Sequence, residues 1–124
     1  MNRCLKFRVW DEKYRCWDNS RLEFFPQQDI LKQGRILTQF TGLKDTNDIE
    51  IWEGDIVKYT LYLSRSPQIG KVIFLNGSFH REFVTTYFWS KSETVVTEPL
   101  FVSQGHLVVI GNVFENFELL NLPK

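Results

Sequence analysis

The chain has 124 residues, with 15 basic and 15 acidic side chains. This length suits one domain, and the balanced charge excludes a strong overall field that would attract nucleic acid or an anionic membrane. Alanine is absent, whereas Val, Ile, Thr and the aromatic residues together number 45. Because β-branched and aromatic side chains favour strands and alanine favours helices, the composition excludes an all-helical bundle and predicts a mainly β fold.

The first 18 residues predict a β-hairpin. Apolar and polar side chains alternate from Leu5 onward, and the hairpin spans about 4–18 with its turn about Glu12. In this register Cys16 faces Arg8, which keeps its sulfur away from that of Cys4. We therefore expect two free thiols. The next segment, 19–34, lacks periodicity and predicts a loop.

The rest of the chain predicts short strands separated by turns. In chain order they fall at 35–40, 51–52, 56–63, 69–75, 78–83, 84–89, 94–96, 100–102 and 107–114. The Asn76-Gly77 pair predicts a hairpin, because it supplies the two positive φ angles of a type I′ turn. A short helix is expected at 115–120.

Short strands in close succession predict a small bent sheet or an SH3-like barrel, α+β at most. We expect a single domain over 1–124. Its parts are the N-terminal hairpin at about 4–18, a central barrel at about 35–114 and a terminal helical turn at about 115–120.

Four blocks of the sequence carry a resemblance to a known family. They are Lys6 to Asp11, Gln39 to Val57 with its Thr-Gly-Leu-Lys-Asp and Glu-Gly-Asp-Ile-Val motifs, Gly70 to Phe74, and Val109 to Leu120. In this order they resemble the YopX family of small proteins encoded by bacteriophages and prophages. The resemblance implies a phage or prophage origin and a mostly β fold, and it implies no activity.

Two positions depart from the family pattern. Asp48 follows Asn47 where the family usually has Gly, and a left-handed backbone costs more for Asp than for Gly. Phe117 stands where the family more often has Pro, which changes how the last helical turn begins.

The sequence predicts a cytoplasmic protein that does not bind membranes. Its longest unbroken apolar runs, such as Leu107 to Ile110, are far shorter than a membrane helix requires. The first residues are basic but lack the apolar stretch of a secretory signal.

A group of carboxylates is the candidate for metal binding or acid–base chemistry, because paired carboxylates bind hard cations. Its members are Asp45, Asp48, Glu50, Glu53 and Asp55. Their spacing fails the calcium-loop motif, since Ile49 and Glu50 occupy a ligand and the glycine position. We favour an acidic structural turn and keep an uncharacterised enzyme that uses 45–55 as an alternative. We predict no catalytic residue, cofactor or metal. Structural turn residues are expected at Gly42, Asp45, Gly54, Asp55, Asn76, Gly77 and Gly111.

The segment 56–81 has four basic and no acidic side chains, interleaved with aromatic residues. Small β barrels bind single-stranded nucleic acid with aromatic rings under bases and cations beside phosphates. The candidate contacts to nucleic acid or to another partner are Lys58, Tyr62, Arg65, Lys71 and Arg81. The alternative is that the rings lie in the core and the cations line the rim of the sheet.

Nineteen aromatic residues are many for one small core, and exposed apolar patches often form interfaces. The candidate interface aromatics are Trp10, Trp17, Trp89 and Phe117. The sequence thus favours a non-enzymatic accessory protein that binds a host or phage protein and forms a homo-oligomer. A nucleic-acid-binding small β barrel is the second hypothesis.

Overall fold

A computed structural model describes residues 5–18, 34–60, 68–86 and 93–121. Within these ranges, nine strands form two antiparallel sheets. The strands are β1 (Phe7–Asp11), β2 (Cys16–Trp17), β3 (Arg35–Lys44), β4 (Glu50–Trp52), β5 (Asp55–Tyr59), β6 (Gln68–Leu75), β7 (Ser78–Thr86), β8 (Glu93–Pro99) and β9 (Leu107–Asn112). The strand orders are β2-β1-β3-β4 and β8-β7-β6-β5-β9.

The predicted mainly β fold with a bent sheet is confirmed, because the sheet curls into a half-barrel. The predicted hairpin around Asn76-Gly77 is confirmed as well. β6 and β7 pair from Gly70 with Phe83 to Leu75 with Ser78, and both turn residues have positive φ angles. The loop predicted at 19–34 and the ends of two predicted strands, 61–63 and 87–89, lie almost entirely outside the described residues.

The N-terminal hairpin forms with a register different from the predicted one. Cys16 pairs with Asp11 rather than with Arg8, so the turn occupies the four residues from Glu12 to Arg15. The Asp11 carboxylate sets this turn by accepting hydrogen bonds from the backbone N–H groups of Lys13 and Tyr14 at 2.9 and 3.1 Å. β1 also pairs with β3 over five residues, so the hairpin is part of the first sheet.

The prediction of a strand at 100–102 is wrong. These residues belong to a one-turn helix, α1 (Leu100–Ser103), followed by a 3₁₀ helix at Gln104–His106. Leu100 and Ser103 are buried, whereas Phe101 and Val102 are exposed. Residues three apart share a helix face, while a strand would place Leu100 and Val102 on the same side.

The C-terminal helix is a 3₁₀ helix at Phe117–Asn121, which begins two residues later than predicted. The Asn112 side chain accounts for the delay, because its Oδ1 accepts hydrogen bonds from the N–H groups of Phe114 and Glu115 at 3.0 and 2.8 Å. These bonds hold 113–115 in a turn. No helix in the described part of the chain has the length and apolar character needed to cross a bilayer.

The apolar core lies between the second sheet, β4 and α1. Its fully buried members are Ile51, Val57, Val72, Leu100 and Leu107. Ile51 comes from the first sheet, so this core joins the two sheets as well as filling the half-barrel.

The chain passes from the first sheet to the second through a turn at residues 53–55, here called the joint. Its N–H and C=O groups bond to both sheets: Glu53 N–H donates to Gln39 O in β3, and Gly54 N–H donates to Val72 O in β6, each at 2.9 Å. Gly54 has a φ angle of +90°. A Cβ there would lie 2.8 Å from Cε2 of Phe114, so both the backbone angle and the space require glycine.

We predict that Gly54→Ala lowers the free energy of unfolding by about 2–4 kcal/mol, because left-handed strain of about 1–2 kcal/mol adds to a clash with a packed ring. Urea denaturation measures the change. Gly42→Ala is the matched control, since Gly42 has a φ angle of +84° with nothing within 4 Å of the added Cβ. Equal losses for the two variants would contradict the close packing of the joint.

Candidate interaction cleft

A cleft of about 540 Å³ opens between the two sheets beside the joint. Ile36 and Leu37 of β3 line one side, Lys71 and Phe74 of β6 line the other, and Phe117 closes one end. The cleft exists because β3 and β6 are both bonded to the joint but belong to different sheets. Its volume lies within the range of about 300–1,000 Å³ that is typical of ligand sites.

Three of the apolar side chains that line the cleft are exposed to water. Ile36 is 39% exposed, Phe74 is 54% exposed and Phe117 is 57% exposed. The Phe74 ring is oriented by an edge-to-face contact with Phe79, with ring centroids 5.2 Å apart, a geometry that aromatic pairs favour. The cleft thus presents an oriented aromatic ring and a branched aliphatic side chain to any molecule that enters it.

Two side chains of opposite charge, Glu53 and Lys71, also line the cleft. Glu53 accepts a hydrogen bond from Gln39 N–H at 3.3 Å, and its partial burial raises the pKa of its carboxyl. The Lys71 ammonium lies 3.7 Å from the Glu82 carboxylate, and both side chains are about one-third exposed. Such a pair contributes little to stability, so Lys71 can exchange this contact for another one at small cost.

An arginine between two tryptophans contacts the joint beside the cleft. The Arg8 guanidinium lies 4.0 Å from the ring centroid of Trp17 and 4.6 Å from that of Trp52. It also donates to Oδ1 of Asp55 at 3.1 Å, which connects β1 to the joint. Burial lowers the pKa of this guanidinium, and the Asp55 carboxylate opposes that effect.

Two of the four predicted interface aromatics, Trp10 and Trp17, belong to a cluster of aromatic rings beside Arg8. Trp10 is fully buried and stacks on Phe114 with centroids 5.5 Å apart. Trp17 meets both rings edge-to-face, and its indole N–H donates to the Glu115 carboxylate at 2.7 Å. The buried Trp10 is therefore not available to a partner. Phe117 is in the cleft, and Trp89 lies outside the described residues.

Of the predicted basic surface, the structure places only Lys58 and Lys71 on one face among the described residues. Lys58 is exposed and lies on the same sheet face as Lys71, because Ile56 pairs with Lys71 and Lys58 is two residues further along β5. Tyr62 and Arg65 lie outside the described residues.

Arg81 does not fit the predicted contact surface. It is 4% exposed, and its Nε donates to Glu98 and Ser103, both at 3.1 Å. The guanidinium also lies over the Phe83 ring at 4.0 Å. A cation held in this way cannot reach a phosphate without breaking the packing of α1 against β7.

The carboxylates between residues 45 and 55 are held by backbone N–H groups or by basic side chains. Both oxygens of Asp45 accept backbone hydrogen bonds, from Asn47 and Ile49 in its own loop and from Val109 in β9. Glu50 forms an ion pair with Lys6. Across the described ranges, no three His, Cys, Asp or Glu residues are placed to hold a metal ion.

Asp48 lies in the turn where it replaces the family's usual Gly. Its φ angle is +65°, so Asp adopts the left-handed backbone of the glycine it replaces. Gly111, one of the four glycines predicted in turns, lies in β9, where an added Cβ would approach the Asn116 side chain to 2.6 Å.

No pattern in the sequence predicts that Ile36, Glu53 and Phe74 belong to one site. Ile36 and Phe74 belong to predicted strands, and their exposure follows from the divergence of two sheets, which no local pattern encodes. Glu53 was considered only as one of a row of carboxylates. Phe117 was the one cleft residue that the sequence selected for its exposed ring.

These features define a small antiparallel β protein with an open cleft where its two sheets diverge. The model of the YopX protein family matches residues 17–121, so the chain belongs to the YopX family, as the sequence blocks predicted. Its fold is similar to that of protein EF1440 from Enterococcus faecalis, whose crystal structure aligns with a TM-score of 0.58. The two chains are 23% identical, and the alignment covers 96% of this chain and 99% of that one. Among curated proteins, none matches this sequence.

Burial raises the pKa of Asp55 from 3.8 to about 6, against the opposing effects of the Trp52 N–H and Arg8. A carboxyl whose pKa is higher in the folded state binds its proton more tightly there, so its contribution to stability is fully present below pH 3.8 and is lost as the pH rises through 6. Each pKa unit corresponds to about 1.4 kcal/mol, which limits this loss to about 3 kcal/mol.

We therefore predict that the free energy of unfolding falls between pH 4 and pH 6.5, and that Asp55→Asn removes most of this slope. Urea titrations at half-unit pH intervals measure both proteins. Asn keeps an acceptor for the Trp52 N–H, which donates to Asp55 at 2.8 Å. A wild-type stability that instead rises with pH across this window would show that Arg8 outweighs burial.

Proposed function

We propose that this protein is a non-enzymatic accessory protein of a phage or prophage, acting in the bacterial cytoplasm, and that it binds another protein through the cleft between its sheets. The observation that carries the proposal is the exposure of Ile36, Phe74 and Phe117 around one opening. Burying a half-exposed phenylalanine ring against a partner contributes about 1 kcal/mol, so the rings together provide a small binding hot spot.

The chemistry of the cleft favours protein over nucleic acid as the partner. Its walls are mainly apolar, and its two charged groups, Glu53 and Lys71, have opposite signs. A nucleic-acid groove needs several cations beside the backbone phosphates. In this protein Lys58 is exposed, Lys71 faces Glu82 and Arg81 is buried.

A binding role rather than catalysis is supported by how the nearby carboxylates are used. Asp55 accepts one bond from Trp52 N–H and one from Arg8, and Asp45 accepts three from backbone N–H groups. These bonds support a structural role for both side chains, which is to hold loops and sheets together. Acid–base chemistry would require a carboxylate whose oxygens are open to a substrate.

We predict that Phe74→Ser and Phe117→Ser each reduce capture of the partner protein at least fivefold. The experiment compares tagged variants in phage-infected or lysogenic bacteria, with captured proteins quantified by mass spectrometry and the interaction then titrated with the purified partner. Phe101→Ser is the matched control, because Phe101 is 70% exposed but lies on α1, outside the cleft. A partner that is lost with all three variants, or with none, contradicts binding through the cleft.

Self-association is a separate expectation, and light scattering on the same purified variants measures it. We expect the wild type to form a homo-oligomer that Phe74→Ser and Phe117→Ser leave intact, because we assign the cleft to a different protein. A wild-type mass of 14.8 kDa contradicts self-association. An oligomer that dissociates in both cleft variants contradicts the assignment of the cleft to another protein.

A further inference from the structure

One edge of β3 faces the cleft along half of the strand. On its other side, Phe40 N–H donates to Lys6 O at 2.9 Å, and the strand pairs with β1 from Phe7 with Gln39 to Asp11 with Arg35. On the cleft side, Gln39 O accepts from Glu53 N–H at 2.9 Å. Backbone groups of successive strand residues point alternately to the two sides. Leu37 therefore directs its N–H and C=O to the same side as Gln39, toward the cleft that it lines.

β4 covers only the other half of this edge. It pairs with β3 at Phe40 with Trp52 and at Lys44 with Glu50, and the chain then leaves the sheet through the joint. In the ranges that the structure describes, no strand pairs with Leu37 on the cleft side. Among the described residues, therefore, none continues the line of β4 beside the N-terminal half of β3.

The cleft is large enough for an extended polypeptide that continues the line of β4 beside β3. An extended residue in packed sheets occupies roughly 160 Å³, from a rise of about 3.3 Å, a strand spacing of about 4.8 Å and a sheet spacing of about 10 Å. A cleft of about 540 Å³ therefore accepts three or four such residues. Side chains on one face of the added strand would meet Phe74 and Phe117, while the backbone faces Leu37.

We propose that a short extended segment of the partner protein adds a strand to the first sheet, pairing its backbone with Leu37 of β3 and placing an apolar side chain against Phe74 and Phe117. Strand addition of this kind obtains affinity from main-chain hydrogen bonds and specificity from pockets for alternate side chains. Glu53 and Lys71 further favour a segment with a polar or charged residue next to the apolar one. This inference rests on the proposed function and specifies the form of the bound partner.

The test uses heptapeptides selected from a random display library on the full chain, with the best sequence then synthesised. We expect apolar residues at alternate positions. N-methylation of the alternate amides that face β3 is expected to weaken binding at least tenfold, whereas N-methylation of the other set changes it less than threefold. In nuclear magnetic resonance spectra, the Leu37 amide is expected to shift and to become protected from exchange when the peptide binds.

Two variants of Leu37 separate its backbone from its side chain. Leu37→Pro removes the N–H on the cleft side and leaves the ladder to β1 intact, since proline is tolerated where a strand N–H faces outward. We expect Leu37→Pro to weaken the peptide at least fivefold more than Leu37→Ala does, with circular dichroism confirming that both variants fold. Equal effects of the two variants, or of the two sets of N-methyl groups, overturn strand addition.

The outcomes distinguish this inference from the proposed function. Peptides that lose affinity with Phe117→Ser but respond equally to both sets of N-methyl groups overturn strand pairing and leave the cleft as a binding site. If the library yields no peptide that depends on Phe117, the inference is contradicted, and the capture experiment with the partner protein still decides the proposed function.

Discussion

The buried contact between Asp55 and Arg8 is the constraint on which the rest of the structure depends. Asp55 is the first residue of β5 in the second sheet, and Arg8 lies in β1 of the first sheet. The ion pair between the Arg8 guanidinium and Asp55 Oδ1, at 3.1 Å, therefore connects the two sheets directly. Both side chains are largely removed from water, which costs free energy unless each finds compensating partners. The Trp52 N–H supplies one for Asp55, and the faces of Trp17 and Trp52 supply attraction to the Arg8 cation.

The cleft is a consequence of this joint. Its walls come from β3 and β6, which belong to different sheets and are both bonded to the joint, through Glu53 and Gly54. The aromatic cluster of Trp10, Trp17 and Phe114 packs against the joint, because the Phe114 ring lies beside Gly54. Trp10, the fully buried member of this cluster, is therefore not a surface residue.

The sequence predicted the features that depend on local patterns. Alternation and the Asn76-Gly77 pair were sufficient for the β6–β7 hairpin, and the spaced sequence blocks were sufficient for the YopX family. Tertiary partners decided the rest. Arg81 looked like a surface cation, yet its acceptors Glu98 and Ser103 lie 17 and 22 residues further along the chain. Leu100 to Val102 looked like a strand because apolar runs do not distinguish a strand from a short helix. The cleft itself was not predictable, since it depends on the angle between two sheets.

Native-state hydrogen exchange tests most directly whether the joint holds both sheets. The informative amides are those of Gly54, which donates to Val72 O, and of Val113, which donates to Gly54 O at 2.8 Å. The account predicts that both exchange only on global unfolding, with protection equal to that of core residues such as Val57. Exchange of Gly54 and Val113 by local opening, while Val57 stays protected, would contradict the joint as the element that fixes the two sheets and the cleft between them.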